Sequence, residues 1–76
     1  MVVYMAISLE SVADLFKTLS DPNRLRILQA LTLDCQSVSA IVEATDLSQP
    51  LVSYHLRILS EQSLARAERR GAYTYY

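Results

Sequence analysis

The side chains whose types and spacing could recognise a ligand lie mainly in the segment between Ser48 and Gln62. On a helix, at ~100° per residue, Val52, Leu56 and Leu59 share one side. The opposite side carries Pro50, Ser53, Tyr54, Arg57 and Glu61. Short polar groups, an aromatic ring and an arginine can meet base edges when the first turns of a helix enter the major groove. The pattern predicts a DNA-recognition helix, with an ordinary solvent-facing helix as the alternative.

Two adjacent arginines, Arg69 and Arg70, precede Gly71, the single glycine of the chain. The glycine predicts a tight hairpin turn, from whose tip the arginines would point outwards. Guanidinium groups so placed can contact a DNA backbone or enter a minor groove. A solvated turn whose charges serve only solubility is the alternative. The polar helix that precedes the hairpin favours DNA binding.

The charges of the chain are distributed unevenly. The net charge of −1 argues mildly against a nucleic-acid partner, because phosphate contacts need lysine or arginine. However, residues 1–46 carry a net charge of −3 and residues 47–76 one of +2, with arginine as the only basic residue type in the second part. Arginine suits phosphate and guanine edges better than lysine does. The distribution therefore directs any DNA contact to the C-terminal part.

Side chains for catalysis or metal binding are sparse. His55 is the only histidine, and no glycine-rich phosphate loop accompanies it, so we expect no enzymatic activity. Cys35 is the only cysteine and can form neither an internal disulfide nor a CxxC metal site. We therefore expect no cofactor, no metal and a reducing, cytoplasmic location. No apolar run reaches the roughly 18 residues of a membrane span, so we expect no membrane partner.

Residues that cap helices mark four helix starts along the chain. Ser8, Asp21 with Pro22, Ser37 and Ser48 each precede apolar residues at helical spacing. The fourth helix, with Pro50 in its first turn, should end near Gln62.

The period changes after the fourth helix. Residues 64–69 alternate and predict a strand, residues 70–72 a turn, and residues 73–76, rich in tyrosine, a second strand. The chain is thus expected to be a single domain over residues 1–76, mainly α with a small β-hairpin. Its order, α-α-α-α-β-β, is that of a winged helix-turn-helix. The hydrophobic fraction of 51% is high for so short a chain, which indicates that a second copy buries part of the apolar surface.

Two stretches carry a resemblance to a known family. Residues 19–28, LSDPNRLRIL, resemble the second-helix signature of the arsenic-repressor (ArsR) family of winged-helix regulators. Residues 48–59, SQPLVSYHLRIL, are similar to that family's recognition helix. Arg69-Arg70-Gly71 followed by Tyr75-Tyr76 is similar to its wing. The resemblance covers residues 9–76 without a gap.

The resemblance implies a transcriptional repressor that binds a palindromic operator in double-stranded DNA as a homodimer and releases it when an effector, here unidentified, arrives. It implies DNA contacts from Gln49, Ser53, Tyr54, Arg57, Arg69 and Arg70. His55 is expected to be half-buried and to orient the helix rather than contact a base. Arg24 is expected to pair with a carboxylate on a neighbouring helix. A winged helix that binds protein instead of DNA is the main alternative, which the overall acidity supports.

The sequence departs from the family's pattern at its metal site. Many members sense metal through a Cys-x-Cys pair, whose positions fall here on Ser37 and Ser39. Serine is a poor ligand for thiophilic ions. Cys35 is expected to be a small buried or idle thiol, with an intersubunit disulfide as the alternative.

Two further departures concern the dimer and the end of the recognition helix. The family's fifth helix, which packs with the first helix in the dimer, has no counterpart up to residue 76. We therefore expect residues 1–19 to form most of the dimer interface. Its residues would be Val3, Met5, Leu9, Val12 and Phe16. Ser63 replaces the glycine expected after the recognition helix, and a left-handed serine would cost about 1 kcal/mol more than glycine, so we expect the helix to end in another way.

Overall fold

The computed structural model describes residues 8–32 and 34–76. Within these residues, four helices precede a two-stranded antiparallel sheet. The elements are α1 (Leu9–Leu19), α2 (Pro22–Leu31), α3 (Val38–Thr45), α4 (Gln49–Glu61), β1 (Glu68–Arg70) and β2 (Tyr73–Tyr75). This order confirms the predicted winged helix-turn-helix. Helices α3 and α4 are the helix-turn-helix, and the β1–β2 hairpin is the wing.

All four helices begin at the predicted caps. The side-chain oxygens of Ser8, Ser37 and Ser48 each accept a hydrogen bond from the backbone N–H three residues later. The carboxylate of Asp21 accepts from two backbone N–H groups at the start of α2, where Pro22 is the first helical residue. The first N–H groups of a helix otherwise lack partners, so these short side chains fix each start locally.

The core is built by α2, α3 and α4. Its fully buried residues are Ile27, Ile41, Val52, Leu56 and Leu59. Partly buried residues from α2, α3, the α3–α4 turn and the C-terminal segment pack around them. In the described part of the chain, α1 packs against α2 and adds no residue to this cluster. Two large apolar side chains of α1, Leu9 and Phe16, therefore remain exposed.

The end of α4 differs from the expectation. Ser63 adopts a left-handed backbone with φ of 59°. Its N–H donates to the carbonyl of Ser60 at 3.0 Å, and the N–H of Leu64 donates to the carbonyl of Leu59 at 2.9 Å. These two bonds form a Schellman motif, which usually has glycine at the left-handed position. The expectation that the serine would force another ending is wrong, because the hydrogen bonds and the packing of Leu64 against the core hold it there.

The wing is shorter than predicted. Residues 64–67 are not strand, because Leu64 closes the Schellman motif and Leu64 and Ala65 both pack against the core. Arg70, predicted to lie in the turn, is the last residue of β1 and pairs with Tyr73. The turn is therefore only two residues long. Gly71 comes first in it with φ of 64°, a conformation that suits glycine.

A short extended segment before α3 adds to the wing. Ser37 forms an antiparallel bridge with Tyr75. The N–H of Gln36 donates to the carbonyl of Tyr76 at 2.9 Å, and the N–H of Tyr76 donates to the carbonyl of Gln36 at 2.8 Å. The base of the wing is thereby tied to the start of the helix-turn-helix. This pairing joins distant parts of the chain, and no local pattern predicts it.

Candidate nucleic-acid interface

The four residues predicted for the recognition face of α4 all lie on its surface. Gln49, Ser53, Tyr54 and Arg57 are all exposed. At ~100° per residue they lie within an arc of about 140° that contains none of the buried residues of the helix, and Gln49 lies at the edge of this arc next to Leu56. The core on the other side holds α4 in place, so these four side chains are presented by a fixed scaffold.

Tyr54 and Arg57 lie together on this face. The guanidinium carbon of Arg57 lies 5.8 Å from the centroid of the Tyr54 ring, within the range of a cation–π contact. The Tyr54 side chain is 49% exposed although it is large and aromatic. An exposed aromatic ring beside an arginine can stack on or contact a base while the cation contacts a phosphate or a guanine edge.

His55 lies on the buried side of α4, next to the exposed Tyr54. It is only 4% exposed, so it is buried rather than half-buried as predicted. Its ring meets the Tyr54 ring edge-on, with 5.2 Å between the ring centroids. Its Nδ1 atom is buried without a hydrogen-bond partner among the described residues. In this structure His55 is a packing residue behind the recognition face.

A charged cluster lies at the start of α2. Arg24 Nη2 lies 3.7 Å from Asp21 Oδ2, so Arg24 pairs with the cap of its own helix and not with a neighbouring helix as predicted. Burial raises the pKa of the Asp21 carboxyl. Hydrogen bonds from the backbone N–H groups of Arg24 and Asn23 lower this pKa, and so do the charges of His55 and Arg24. The lowering effects outweigh the burial, so the pKa of Asp21 lies below its ordinary value. The cap is therefore a carboxylate at neutral pH.

The two wing arginines have different surroundings. Arg70 Nη2 lies 3.3 Å from Glu68 Oε2, and the guanidinium carbon lies 5.3 Å from the centroid of the Tyr75 ring. The hydrogen bond that Arg70 donates to the Glu68 carboxylate, together with the negative charge of that carboxylate, raises the pKa of Arg70 above the ordinary value. Arg69 instead donates from Nε to the carbonyl of Gly71 at 3.4 Å. Glu68 and Tyr75 were not identified from the sequence as partners of Arg70. Glu68 lies two residues before Arg70 on the same strand, and residues two apart on a strand share a face, so this spacing was a usable signal.

An apolar surface of α1 faces outwards. Leu9 is 84% exposed and Phe16 67% exposed, while Val12 is half-buried. Leu9, Ala13 and Phe16 follow one another at i, i+4 and i+7 and so share one face. The other two residues predicted for the dimer interface, Val3 and Met5, lie outside the described residues. We call the face of Leu9, Ala13 and Phe16 the α1 surface.

Cys35 is an exposed free thiol, so of the two expected states, buried or idle, it is not the buried one. Residues 8–32 and 34–76 contain no group of three or more histidine, cysteine, aspartate or glutamate side chains placed to hold a metal ion. Ser37, at one of the family's metal positions, uses its hydroxyl to accept from the backbone N–H of Ala40 at 3.2 Å. Over the same described residues, no helix has the length and apolarity needed to cross a bilayer.

Comparison with known proteins adds independent findings. Residues 19–67 match a helix-turn-helix domain family, HTH_20. An uncharacterized HTH-type transcriptional regulator of Methanocaldococcus jannaschii is 34% identical over 68 residues, which are 88% of this chain and 76% of that protein. A transcriptional repressor SmtB homolog of Synechocystis is 37% identical over 67 residues, which are 88% of this chain and 51% of that protein. The chain thus spans about half to three quarters of the length of these two relatives.

Among solved structures, a solution structure from Mycobacterium bovis has the same architecture. It is the homodimeric winged helix-turn-helix DNA-binding domain of a possible ArsR-family transcriptional regulator. It superposes with a TM-score of 0.86 at 34% sequence identity, over 96% of this chain and 68% of that one. The domain match, the relatives and the shared fold agree with the resemblance seen at residues 19–28 and 48–59. The chain belongs to the ArsR/SmtB-type family of winged helix-turn-helix transcription regulators.

Proposed function

We propose that this chain is a repressor that binds double-stranded DNA sequence-specifically as a homodimer. The observation that carries the proposal is the exposed face of α4, on which Gln49, Ser53, Tyr54 and Arg57 are all open to solvent. A helix whose buried side is fixed and whose outer side is polar can enter a major groove without rearranging. Similarity to the Synechocystis repressor homolog and to the homodimeric DNA-binding domain from Mycobacterium bovis supports the same function.

The four residues of this face divide into two chemical roles. The amide of Gln49 and the hydroxyl groups of Ser53 and Tyr54 can donate to and accept from base edges, so they would set sequence preference. Arg57 can bind a guanine edge or a phosphate through its planar fork. The N-terminus of α4 adds backbone N–H groups that favour a phosphate.

The wing supplies the second part of the proposed interface. Arg69 and Arg70 are exposed on the hairpin. Through this pair the wing would contact the DNA backbone or a minor groove beside the site read by α4. This part of the interface would add affinity for every sequence rather than choose among sequences.

The α1 surface supplies the proposed dimer contact. Leu9 and Phe16 are large apolar residues with 84% and 67% exposure, and no residue of α1 belongs to the hydrophobic core cluster of its own chain. A second copy related by a two-fold axis would cover this surface and would present two copies of α4. Such a dimer reads a palindromic site with half-sites about one helical turn apart.

Repression would follow from occupancy of a promoter by this dimer. The proposed activity is binding without catalysis. It would take place in the cytoplasm, where a prokaryotic promoter lies. No cofactor is part of the proposal.

Selection of bound duplexes from a random pool by the purified chain tests the proposal. We expect an enriched palindromic motif and a steep loss of affinity as salt rises, since phosphate contacts release counterions. Ser53→Ala and Tyr54→Phe should change the base preference, whereas Arg69→Ala and Arg70→Ala should weaken binding to all sequences. Recovery of no motif, with no salt-dependent binding, would contradict the proposal and favour the protein-binding alternative.

A further inference from the structure

The register of the wing places its two arginines on opposite faces. In β1 and β2, Glu68 pairs with Tyr75, Arg69 with Thr74, and Arg70 with Tyr73. Successive side chains of a strand alternate between faces, and paired residues share a face. Arg70 therefore shares one face with Glu68 and with the two tyrosines of β2, Tyr73 and Tyr75. Arg69 shares the other face with Thr74. Two neighbouring arginines on opposite faces cannot make equivalent contacts with one DNA backbone.

The face of Arg70 is already occupied by partners from its own chain. Oε2 of Glu68 lies 3.3 Å from Arg70 Nη2. The Tyr75 ring lies beneath the guanidinium, and its centroid is 5.3 Å from Arg70 Cζ. Arg70 thus already forms an ion pair with a carboxylate before DNA arrives. Arg69 makes only the 3.4 Å hydrogen bond to the Gly71 carbonyl and no ion pair within the described residues.

Tyr75 belongs to the body of the domain as much as to the wing. It pairs with Glu68 on one side and with Ser37 on the other. The next residue, Tyr76, exchanges two backbone hydrogen bonds with Gln36, at 2.8 and 2.9 Å. Ser37 in turn caps α3. A guanidinium lying over the Tyr75 ring therefore connects the tip of the wing to the start of the helix-turn-helix.

We propose that Arg69 and Arg70 serve DNA binding by different routes: Arg69 contacts a DNA phosphate, and Arg70 is a positioning residue that holds the wing in place through Glu68 and Tyr75. The proposal rests on the proposed function, since it assigns parts within the same interface. A hairpin with three-residue strands is marginal by itself, so its orientation depends on such side-chain contacts. An ordered wing then presents Arg69 in one fixed direction.

Two matched variants test this division. Arg69→Gln and Arg70→Gln each remove one positive charge, at neighbouring positions. Binding to a fluorescein-labelled duplex of mixed sequence is measured by anisotropy over a series of KCl concentrations. One phosphate contact contributes about 0.9 to the slope of log K against log salt, so Arg69→Gln should flatten the slope by roughly 1.8 for a dimer. Arg70→Gln should lower the affinity at every salt concentration but change the slope by less than half of that amount.

A second measurement reports wing order without DNA. Amide hydrogen exchange over residues 68–76 should become several-fold faster in Arg70→Gln and in Glu68→Gln, and should stay unchanged in Arg69→Gln. A role of Arg70 as a direct phosphate contact would not alter exchange in the free protein. An Arg70→Gln slope as flat as that of Arg69→Gln, together with unaltered exchange, would overturn the proposal.

The two measurements also separate this proposal from the proposed function. If the unmodified chain shows no salt-dependent binding to any duplex, the DNA-binding proposal fails, and with it the role of Arg69. The exchange measurement then still decides whether Arg70 positions the wing. If the unmodified chain binds DNA and exchange is equal in all variants, the positioning role fails while the DNA-binding function stands.

Discussion

The backbone N–H of Leu64 donates to the carbonyl oxygen of Leu59 at 2.9 Å and closes the C-terminus of α4 around a left-handed Ser63. A Cβ atom is unfavourable in this backbone region, so glycine should fit better. We expect Ser63→Gly to raise the free energy of unfolding by about 0.5–1 kcal/mol, since the greater freedom of glycine in the unfolded chain offsets part of the gain. Urea denaturation followed by circular dichroism measures the change.

Ser60→Gly provides the control for this prediction. Ser60 lies inside α4, where glycine costs roughly 0.5 kcal/mol relative to serine. Both variants replace a serine by glycine, three positions apart. They should change the free energy of unfolding in opposite directions. A loss of stability in Ser63→Gly would show that the serine side chain, and not only the backbone, supports the helix end.

Asp21 should make the stability of the domain sensitive to acid. Its pKa in the folded chain lies below the ordinary value of 3.8, so the charged form stabilises the fold. This contribution is present above the unfolded pKa and is lost as the pH falls through the folded pKa. Asn caps a helix as well as Asp does, so Asp21→Asn removes the charge but keeps the cap. Asp21→Ala removes both, and its free energy of unfolding should be about 1 kcal/mol lower than that of Asp21→Asn.

Urea titrations at neutral pH and below about pH 3 check this behaviour. The difference in free energy of unfolding between the unmodified chain and Asp21→Asn should shrink at the lower pH. An equal difference at both pH values would mean that the carboxylate charge of Asp21 does not contribute through its shifted pKa.

The helix starts could be predicted from the sequence because each depends on a cap within three residues, as Asp21 and Ser48 show. The exposed side of α4 could be predicted as well, because the helical period is a local property of the sequence. The pairing of Ser37 with Tyr75 could not, because it joins residues far apart in the chain. The alternating pattern of residues 64–69 predicted a strand over all six residues, but residues 64–67 are not strand. Packing of Leu64 and Ala65 against the core overrides this weak local pattern.

Tyr54 and His55 should separate DNA recognition from folding. Tyr54 is 49% exposed and His55 4% exposed, although they are adjacent. Tyr54→Ala should alter base preference and change stability by less than about 0.5 kcal/mol. His55→Ala should destabilise the fold by about 1–3 kcal/mol, because it leaves a cavity behind α4.

Thermal unfolding and selection from a random duplex pool compare these two variants. At a temperature where both are folded, His55→Ala should select the same motif as the unmodified chain. A changed motif for His55→Ala, without loss of stability, would reassign His55 to the DNA-contacting face.

Metal ions should not bind tightly to this chain. Cys35 is a single exposed thiol, and the hydroxyl of Ser37 is already engaged in capping α3. Calorimetric titration with zinc, cadmium or arsenite should show no stoichiometric high-affinity binding. Tight binding that disappears in Cys35→Ser would reveal a site completed by residues beyond the described part or by a second copy.

The α1 surface should control the oligomeric state. Phe16→Ser removes a large apolar side chain that is 67% exposed and lies outside the core cluster, so the monomer should stay folded while the dimer weakens. Tyr73→Ser is the matched control, since Tyr73 is 64% exposed but lies on the wing. Light scattering at micromolar concentration should find a dimer for the unmodified chain and for Tyr73→Ser, and a monomer for Phe16→Ser. Because a monomer presents only one copy of α4, Phe16→Ser should also bind a palindromic duplex far more weakly than a dimer does. A dimer that persists in Phe16→Ser would show that other residues form the interface.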